Sequence, residues 1–269
     1  MSTNTQLSTR ANYYWRLVVT GLAFTTFGLG GLIIGILWFP LLVLMPLSKR
    51  RRQKIARFTI GRGFRLFMWL FGVLGIFNLT YLEKKHFRLK GAIFIANHPT
   101  LLDIVALLSV IPSGNCVIKP GLKANIFTWA AVTAAGYVVN RDGDQFLRDC
   151  EAALDQGDSL VIFPEGTRST RNQLKKFNRG AAHLACRRET PIVPVVITCN
   201  PPTLHREVSW FDIPERKFTL EVKAYPPRKI VKRASPRSTA AREVTAEWEA
   251  FFNHELDFTT EKPEGIVSA

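Results

Sequence analysis

Between Arg16 and Lys49 the chain carries no charged residue, and the stretch reads "LVVTGLAFTTFGLGGLIIGILWFPLLVLMPLS", residues 17 to 48. That is more than the roughly 20 residues that cross a bilayer once and fewer than the roughly 40 that would cross it twice. A secretory signal has a shorter apolar core and a small-residue cleavage site, so that reading is rejected. A buried core helix is the remaining alternative to membrane association, and the length disfavours it. "GLGG" at 28–31, Pro40 and Pro46 permit a break in the segment without requiring one. The basic run "KRRRQKIAR", residues 49–57, comes directly after and is expected on the cytoplasmic side against anionic headgroups. A second apolar stretch, "LFMWLFGVLGIFNLTYL" at 66–82, is at the short limit for a span, with Trp69 and Tyr81 as interfacial residues. The expected arrangement is shallow: the first segment dips in and returns, or spans once, while the second lies in the cytoplasmic leaflet.

Beyond residue 85 the material changes. Short apolar runs at 92–97, 115–119, 137–140, 159–164 and 192–198 read as buried strands. Helical patterns alternate with them, over Asp142–Gln156 with Asp142 and Gln145 as a capping box, and over Arg179–Arg188. "KFTLEVKAY", 217–225, alternates like an edge strand, and Pro194 within "IVPVVIT" implies a bulge or an edge. A terminal helix is expected over Pro236–Phe258, with Ser235 before Pro236 as its start signal. The predicted class is α/β, a largely parallel sheet flanked by helices and preceded by an N-terminal membrane-embedded helical segment. The expected division is residues 1–85, membrane-associated helices, and 86–269, an α/β domain with a C-terminal helix.

The 36 Lys and Arg residues against 21 Asp and Glu leave a charge of +15, which calls for an anionic partner. Nucleic acid is disfavoured, because the densest basic run abuts an apolar segment and the strands carry no interleaved aromatic platform. Cys116, Cys150, Cys186 and Cys199 show neither CxxC pairing nor metal-like spacing, so thiols in a reducing compartment and no metal are expected.

In an open α/β sheet, functional groups gather at the carboxyl ends of the strands. There "AIFIANHPTLLD" delivers His98 and, five residues on, Asp103. A carboxylate at the start of the next helix can reach back to one ring nitrogen and leave the other to take a hydroxyl proton. Alone, the pair is equally a structural histidine with a capping aspartate. "FPEGTRS" brings Glu165, suited to a polyol hydroxyl, and Arg168, suited to a forked phosphate contact. "GYVVNRD" carries Arg141 at a strand end, and "NCVIK" ends in Lys119. These cations at one sheet edge make a phosphate-binding crevice.

Together "NHPTLLD", "GYVVNR", "FPEGTRS" and "IVPVV" resemble, in order, the four blocks of the PlsC-type glycerolipid acyltransferases, the lysophosphatidic acid acyltransferases and their relatives. The resemblance implies a catalytic dyad of His98 and Asp103, and substrate binding by Lys119, Arg141, Glu165, Gly166, Thr167 and Arg168. It implies no cofactor, an acyl-ACP or acyl-CoA thioester as co-substrate, a lysolipid acceptor (1-acylglycerol-3-phosphate first), and a paired helical element in one leaflet. The site would face the cytoplasm at the inner membrane. Thr128 and Trp129 stand where many relatives have proline followed by glycine, and the stretch 179–207 looks more like relatives of aryl polyene or unusual-lipid assembly. The alternatives are therefore a specialised lipid acceptor or a non-catalytic lipid-binding homologue.

Overall fold

A computed structural model describes residues 2–141, 143–170, 173–230 and 237–256, with the side chains of 2–9 and 237 left aside. The uncharged segment is one helical run: α1 (Ser2–Ile33), a π-helical turn (Ile34–Trp38) and α2 (Phe39–Leu44). "GLGG" stays helical, and Pro40 falls in the first turn of α2, just beyond the wider π-turn. The break comes instead at Met45, extended ahead of Pro46. The segment therefore does not dip and return within itself. It holds one helix, Arg10–Leu44, long and apolar enough to cross a membrane. Tyr14, Val18, Ile36, Leu37 and Leu44 are exposed on it.

Ser48 caps α3 (Lys49–Val73), accepting from the Arg51 N–H. Arg57, expected among the headgroup-facing cations, is buried instead. It pairs with Asp158 at 2.8 Å, and Asn115 donates to the other carboxylate oxygen. The second apolar stretch is not a single interfacial helix. Gly75, at φ +90°, ends α3, with Gly75 N–H bonding Gly72 O and Ile76 N–H bonding Phe71 O. The next element is a strand, β1 (Phe77–Leu82), whose burial alternates residue by residue. Tyr81 is accordingly not an interfacial anchor, for its hydroxyl donates to Ala106 O at 2.8 Å.

The remaining strands are β2 (Ile93–Ala96), β3 (Asn115–Ile118), β4 (Val138–Val139), β5 (Leu160–Ile162), β6 (Ile192–Asn200) and β7 (Phe218–Ala224). They form one seven-stranded sheet in the order β1-β7-β6-β2-β5-β3-β4. All pairs are parallel except β6 with β7. β7 is thus interior, not an edge, because the unforeseen β1 covers it. β6 is also interior. Its Pro194 lies where the β7 ladder begins and accepts from the Tyr225 N–H, so neither an edge nor a bulge is needed to seat it.

Every β2 side chain is buried, as both faces of the sheet are covered. Phe94 and Ala96 pack toward α3 and α4 (Asp103–Val110). Ile93 and Ile95 pack toward α7 (Asp144–Asp155), α8 (Gly180–Arg187) and Phe252 of α9 (Arg237–Leu256). Each such isoleucine contributes about 1.5–3 kcal/mol relative to exposure. Two short helices, α5 (Pro120–Ala124) and α6 (Trp129–Ala135), join β3 to β4. The expected box on α7 is not formed: Gly143 is its N-cap, Gln145 bonds Asp149 and Arg148, and Asp142 lies outside the described residues. Ser235 and Pro236 lie outside them too.

Candidate functional site

Where β2 ends, Asn97 replaces a peptide group. Its amide donates to Ile197 O and its carbonyl accepts from Ile197 N–H, each at 2.8 Å, so β6 stays paired while the other chain turns away. His98 comes next, held at both backbone groups by the turn after neighbouring β5. Its N–H donates to Glu165 Oε1, and its carbonyl accepts from Ser169 N–H, both at 2.8 Å. The imidazole stacks on Phe163, with ring centroids 4.2 Å apart.

Asp103 opens α4 and is fully buried. Its position is set from behind. Arg65 of α3 donates twice to Ser109 O, and Tyr81 of β1 holds Ala106 O nearer the middle of the helix. Oδ2 of Asp103 accepts from His98 Nδ1 at 2.7 Å and from Thr100 N–H at 2.7 Å. Oδ1 accepts from the Thr100 hydroxyl at 2.6 Å. An ionised carboxylate only accepts, so Nδ1 carries the ring proton and Nε2 presents its lone pair. Sequence reasoning passed over Asn97, Thr100 and Ser169, although Ser169 closes the "FPEGTRS" block.

Glu165 is buried and faces inward. Oε1 holds His98 N–H, while Oε2 accepts from the Ser169 hydroxyl and from Lys175 N–H. Burial pushes its pKa up, against the pull of those three hydrogen bonds. Gly166 adopts φ +68°, and a Cβ there would meet Asn178 Nδ2 at 2.9 Å, so glycine lets the turn close. Thr167 is half-buried in the same turn.

Four cations gather beside this turn. The pKa of Lys119 is lowered first by partial burial, then by Arg206, Lys175 and Arg168. Arg168 also donates to Leu204 O at 2.9 Å and His205 O at 3.2 Å, docking the loop after β6. Lys175 and Arg206 were not foreseen. Lys119 and Arg168 are brought together, and Arg141 lines a cleft on the same turn, with Phe163, Gly166, Arg179, His183 and Arg187. Mutual repulsion within the Lys119 group would be relieved by an anion.

A family model described as Acyltransferase matches residues 78–198, a span running from β1 into β6. The chain is 29% identical over 177 residues to a 1-acyl-sn-glycerol-3-phosphate acyltransferase of Cocos nucifera, covering 62% of this chain and 55% of the relative. To the 1-acyl-sn-glycerol-3-phosphate acyltransferase of Saccharomyces cerevisiae it is 32% identical over 201 residues, covering 71% and 62%. Over these spans the chain is similar to the PlsC-type acyltransferases. The fold agrees: the crystal structure of the LPA acyltransferase PlsC from Thermotoga maritima aligns with a TM-score of 0.68 at 17% identity, over 93% of this chain and 100% of that one. The chain spans 55% and 62% of the length of these two curated relatives. Among its described residues, no group of three His, Cys, Asp or Glu side chains converges as a metal site.

Proposed function

We propose that the protein transfers a fatty acyl group from an acyl-ACP or acyl-CoA thioester to the free hydroxyl of a lysophospholipid, 1-acylglycerol-3-phosphate first. The observation that carries this is the 2.7 Å contact between His98 Nδ1 and Asp103 Oδ2, which leaves Nε2 as the base. Nε2 takes the proton of the acceptor hydroxyl as its oxygen bonds to the thioester carbonyl carbon. The buried Asp103 carboxylate stabilises the imidazolium. When the tetrahedral intermediate collapses, the C–S bond breaks and the leaving sulfur receives that proton from Nε2. No covalent enzyme intermediate is required.

Lys119 and Arg168, joined by Lys175 and Arg206, hold the acceptor phosphate. Glu165 fixes the His98 backbone and the 165–169 turn, so its role is positioning. The exposed apolar helix Arg10–Leu44 lies in the membrane, with Lys49, Arg50 and Arg51 at anionic headgroups on the cytoplasmic face of the inner membrane. The relatives' names support the choice of acceptor, since both are 1-acyl-sn-glycerol-3-phosphate acyltransferases.

The test incubates purified protein in mixed micelles with acyl-ACP or acyl-CoA and a panel of lysolipids, with and without a phosphate monoester, and identifies products by mass. Diacyl product from the phosphorylated acceptor is expected, with turnover falling about a hundredfold or more in His98→Ala. Thioester loss that ignores the acceptor would make the protein a hydrolase. Product only from an acceptor lacking the phosphate monoester would move the acceptor to a specialised lipid.

A further inference from the structure

Two loops beyond the sheet rest on the uncharged helical run and present exposed apolar side chains. The first, from α5 into α6, carries Leu122, Ile126, Phe127 and Trp129, and the second, between β6 and β7, carries Trp210 and Phe211. Ile126, Trp129 and Phe211 are more than half exposed, and Phe127 and Trp210 nearly so. Their seat is one flank of α1. A Cβ at Gly21 would meet the Trp210 ring at 3.7 Å, one at Gly28 the Phe127 ring at 3.7 Å, and one at Gly31 Phe127 O at 3.2 Å. Trp210 also packs on Phe24, with ring centroids 5.5 Å apart. Gly21 and Gly28 are two turns apart and share a face, next to the exposed Val18, Leu22 and Leu29. Each ring has one side on the helix and the other open, so the exposed apolar stripe of α1 continues onto both loops.

A segment that enters hydrocarbon must satisfy its own backbone, and both loops do so. In the first, Asn125 Oδ1 accepts from Phe127 N–H at 2.9 Å, and Asn125 O accepts from the N–H groups of Thr128 and Trp129 at 3.1 and 2.7 Å. The Thr128 hydroxyl donates to Leu122 O at 2.6 Å. In the second, the Asp212 carboxylate folds back to accept from Ser209 N–H at 2.9 Å, while Asp212 N–H donates to Ser209 O at 3.1 Å. Trp210 and Phe211 project from that closed turn. No charged residue lies between Lys123 and Arg141, and cations stand just behind each tip, Lys119 and Lys123 for one, Arg206, Arg216 and Lys217 for the other. Apolar tip, then cations, is the order of an anionic leaflet read from its acyl chains outward. The helical run meets the rest of the fold from Arg16, which donates to Pro214 O at 2.9 Å, to Leu42, which packs with Ala56, Ile60 and Ala135. That is about 40 Å of helix, more than the roughly 30 Å of bilayer hydrocarbon. Standing across a bilayer, it would drag the loops, with Asp212, through the interior; lying along the surface, it sets both tips at one depth. We propose that the loops at 122–129 and 209–213 insert into the acyl boundary of an anionic bilayer beside α1, as a second attachment that holds Lys119 and Arg206 at headgroup level.

Full-length protein is bound to vesicles of phosphatidylcholine and phosphatidylglycerol that contain a phospholipid with a diazirine either high in its acyl chain or at the chain end. After photolysis and trypsin digestion, mass mapping locates the label, because cleavage after Arg16, Lys49, Lys123, Arg141, Arg206 and Arg216 isolates residues 17–49, 124–141 and 207–216. All three peptides should carry label. The two loop peptides should carry more from the high diazirine than from the terminal one, since an interfacial segment sits about 5–10 Å into the headgroup and acyl boundary. The double variant Ile126→Glu/Phe211→Glu should lose loop labelling severalfold and keep that of 17–49. Label on 17–49 with none on either loop of the unsubstituted protein overturns the proposal. Stronger loop labelling from the terminal diazirine also overturns it, by placing the loops at the bilayer centre. Loops that escape both the lipid reagents and a water-soluble diazirine are covered by a second copy, and loop labelling that ignores the two glutamates comes from lipid passing by; either result refutes insertion. None of these readouts needs turnover, so the outcome is independent of the acyl-transfer reading.

Discussion

Asp103→Asn tests what the carboxylate does for His98. The substitution keeps shape and removes charge, and its result depends on which way the new amide points. Two fixed N–H donors, His98 Nδ1 and the Thr100 backbone, converge on Oδ2, whereas Oδ1 meets only the rotatable Thr100 hydroxyl. The amide oxygen must therefore occupy the Oδ2 place, with the NH2 at Oδ1 and the hydroxyl turned to accept from it. The proton stays on Nδ1 and Nε2 remains the base, so the loss is electrostatic alone. At an effective dielectric of about 20 and a separation of about 4 Å, an imidazolium–carboxylate pair is worth roughly 4 kcal/mol. A transition state with the proton half transferred realises about half of that, roughly 2 kcal/mol, or about 30-fold in kcat. Asp103→Ala is different in kind: it strands the buried Thr100 N–H and frees the imidazole to rotate, for an expected loss of about a thousandfold or more. Initial rates at saturating donor and acceptor compare the two, and circular dichroism melts check that both fold. The reasoning is refuted if Asp103→Asn falls as far as Asp103→Ala, since the amide would then have flipped and displaced the proton to Nε2.

Arg57→Met leaves Asp158 buried without its ion-pair partner and should cost about 3–5 kcal/mol in denaturant melts, most of it recovered in Arg57→Met/Asp158→Asn. A penalty unchanged in the double variant would mean that packing, not charge, is what Arg57 supplies. Lys119→Met should raise the KM for a phosphorylated acceptor about tenfold or more and leave a phosphate-free lysolipid unaffected, measured side by side; equal losses would remove the phosphate contact. The pKa of Glu165 is higher in the fold than its ordinary 4.5, so the native state binds the extra proton. Its contribution to stability is full below that value and is lost as pH rises through the folded pKa. The stability advantage of the parent over Glu165→Gln should accordingly shrink as pH rises above about 4.5, and an advantage that grows as pH rises would show the three hydrogen bonds outweighing burial.

The contact between His98 and Asp103 was legible because its geometry is local. A strand end, Pro99 and a helix start fix the separation of His98 and Asp103 whatever surrounds them, and strands buried on both faces announce themselves as short apolar runs. β1 was hidden because the end of α3 and the strand are equally apolar, and composition does not register the change of period. Only the glycines at 72 and 75 mark it, and an apolar helix tolerates glycine in lipid. That one omission made β7 an edge and turned a sheet strand into a membrane segment. The basic run misled for a related reason. Arg50 and Arg57 look alike in sequence, but Asp158, which buries Arg57, lies 101 residues away. Distance in sequence also hid half of the cation cluster. Lys119 stands at the end of β3 and Arg168 in the turn after the neighbouring β5, so the sheet order brings them together. Lys175 and Arg206 sit on loops and arrive only because their neighbours are tied down, Lys175 through its own N–H to Glu165 and Arg206 through its N–H to Ser169 O. Glu165 and Ser169 thus act twice, once on the backbone of His98 and once on the loops that carry the cations. The inward-facing carboxylate of the "FPEGTRS" turn couples the His98 backbone to the loop that carries Lys175, a task that an outward-facing glutamate could not perform.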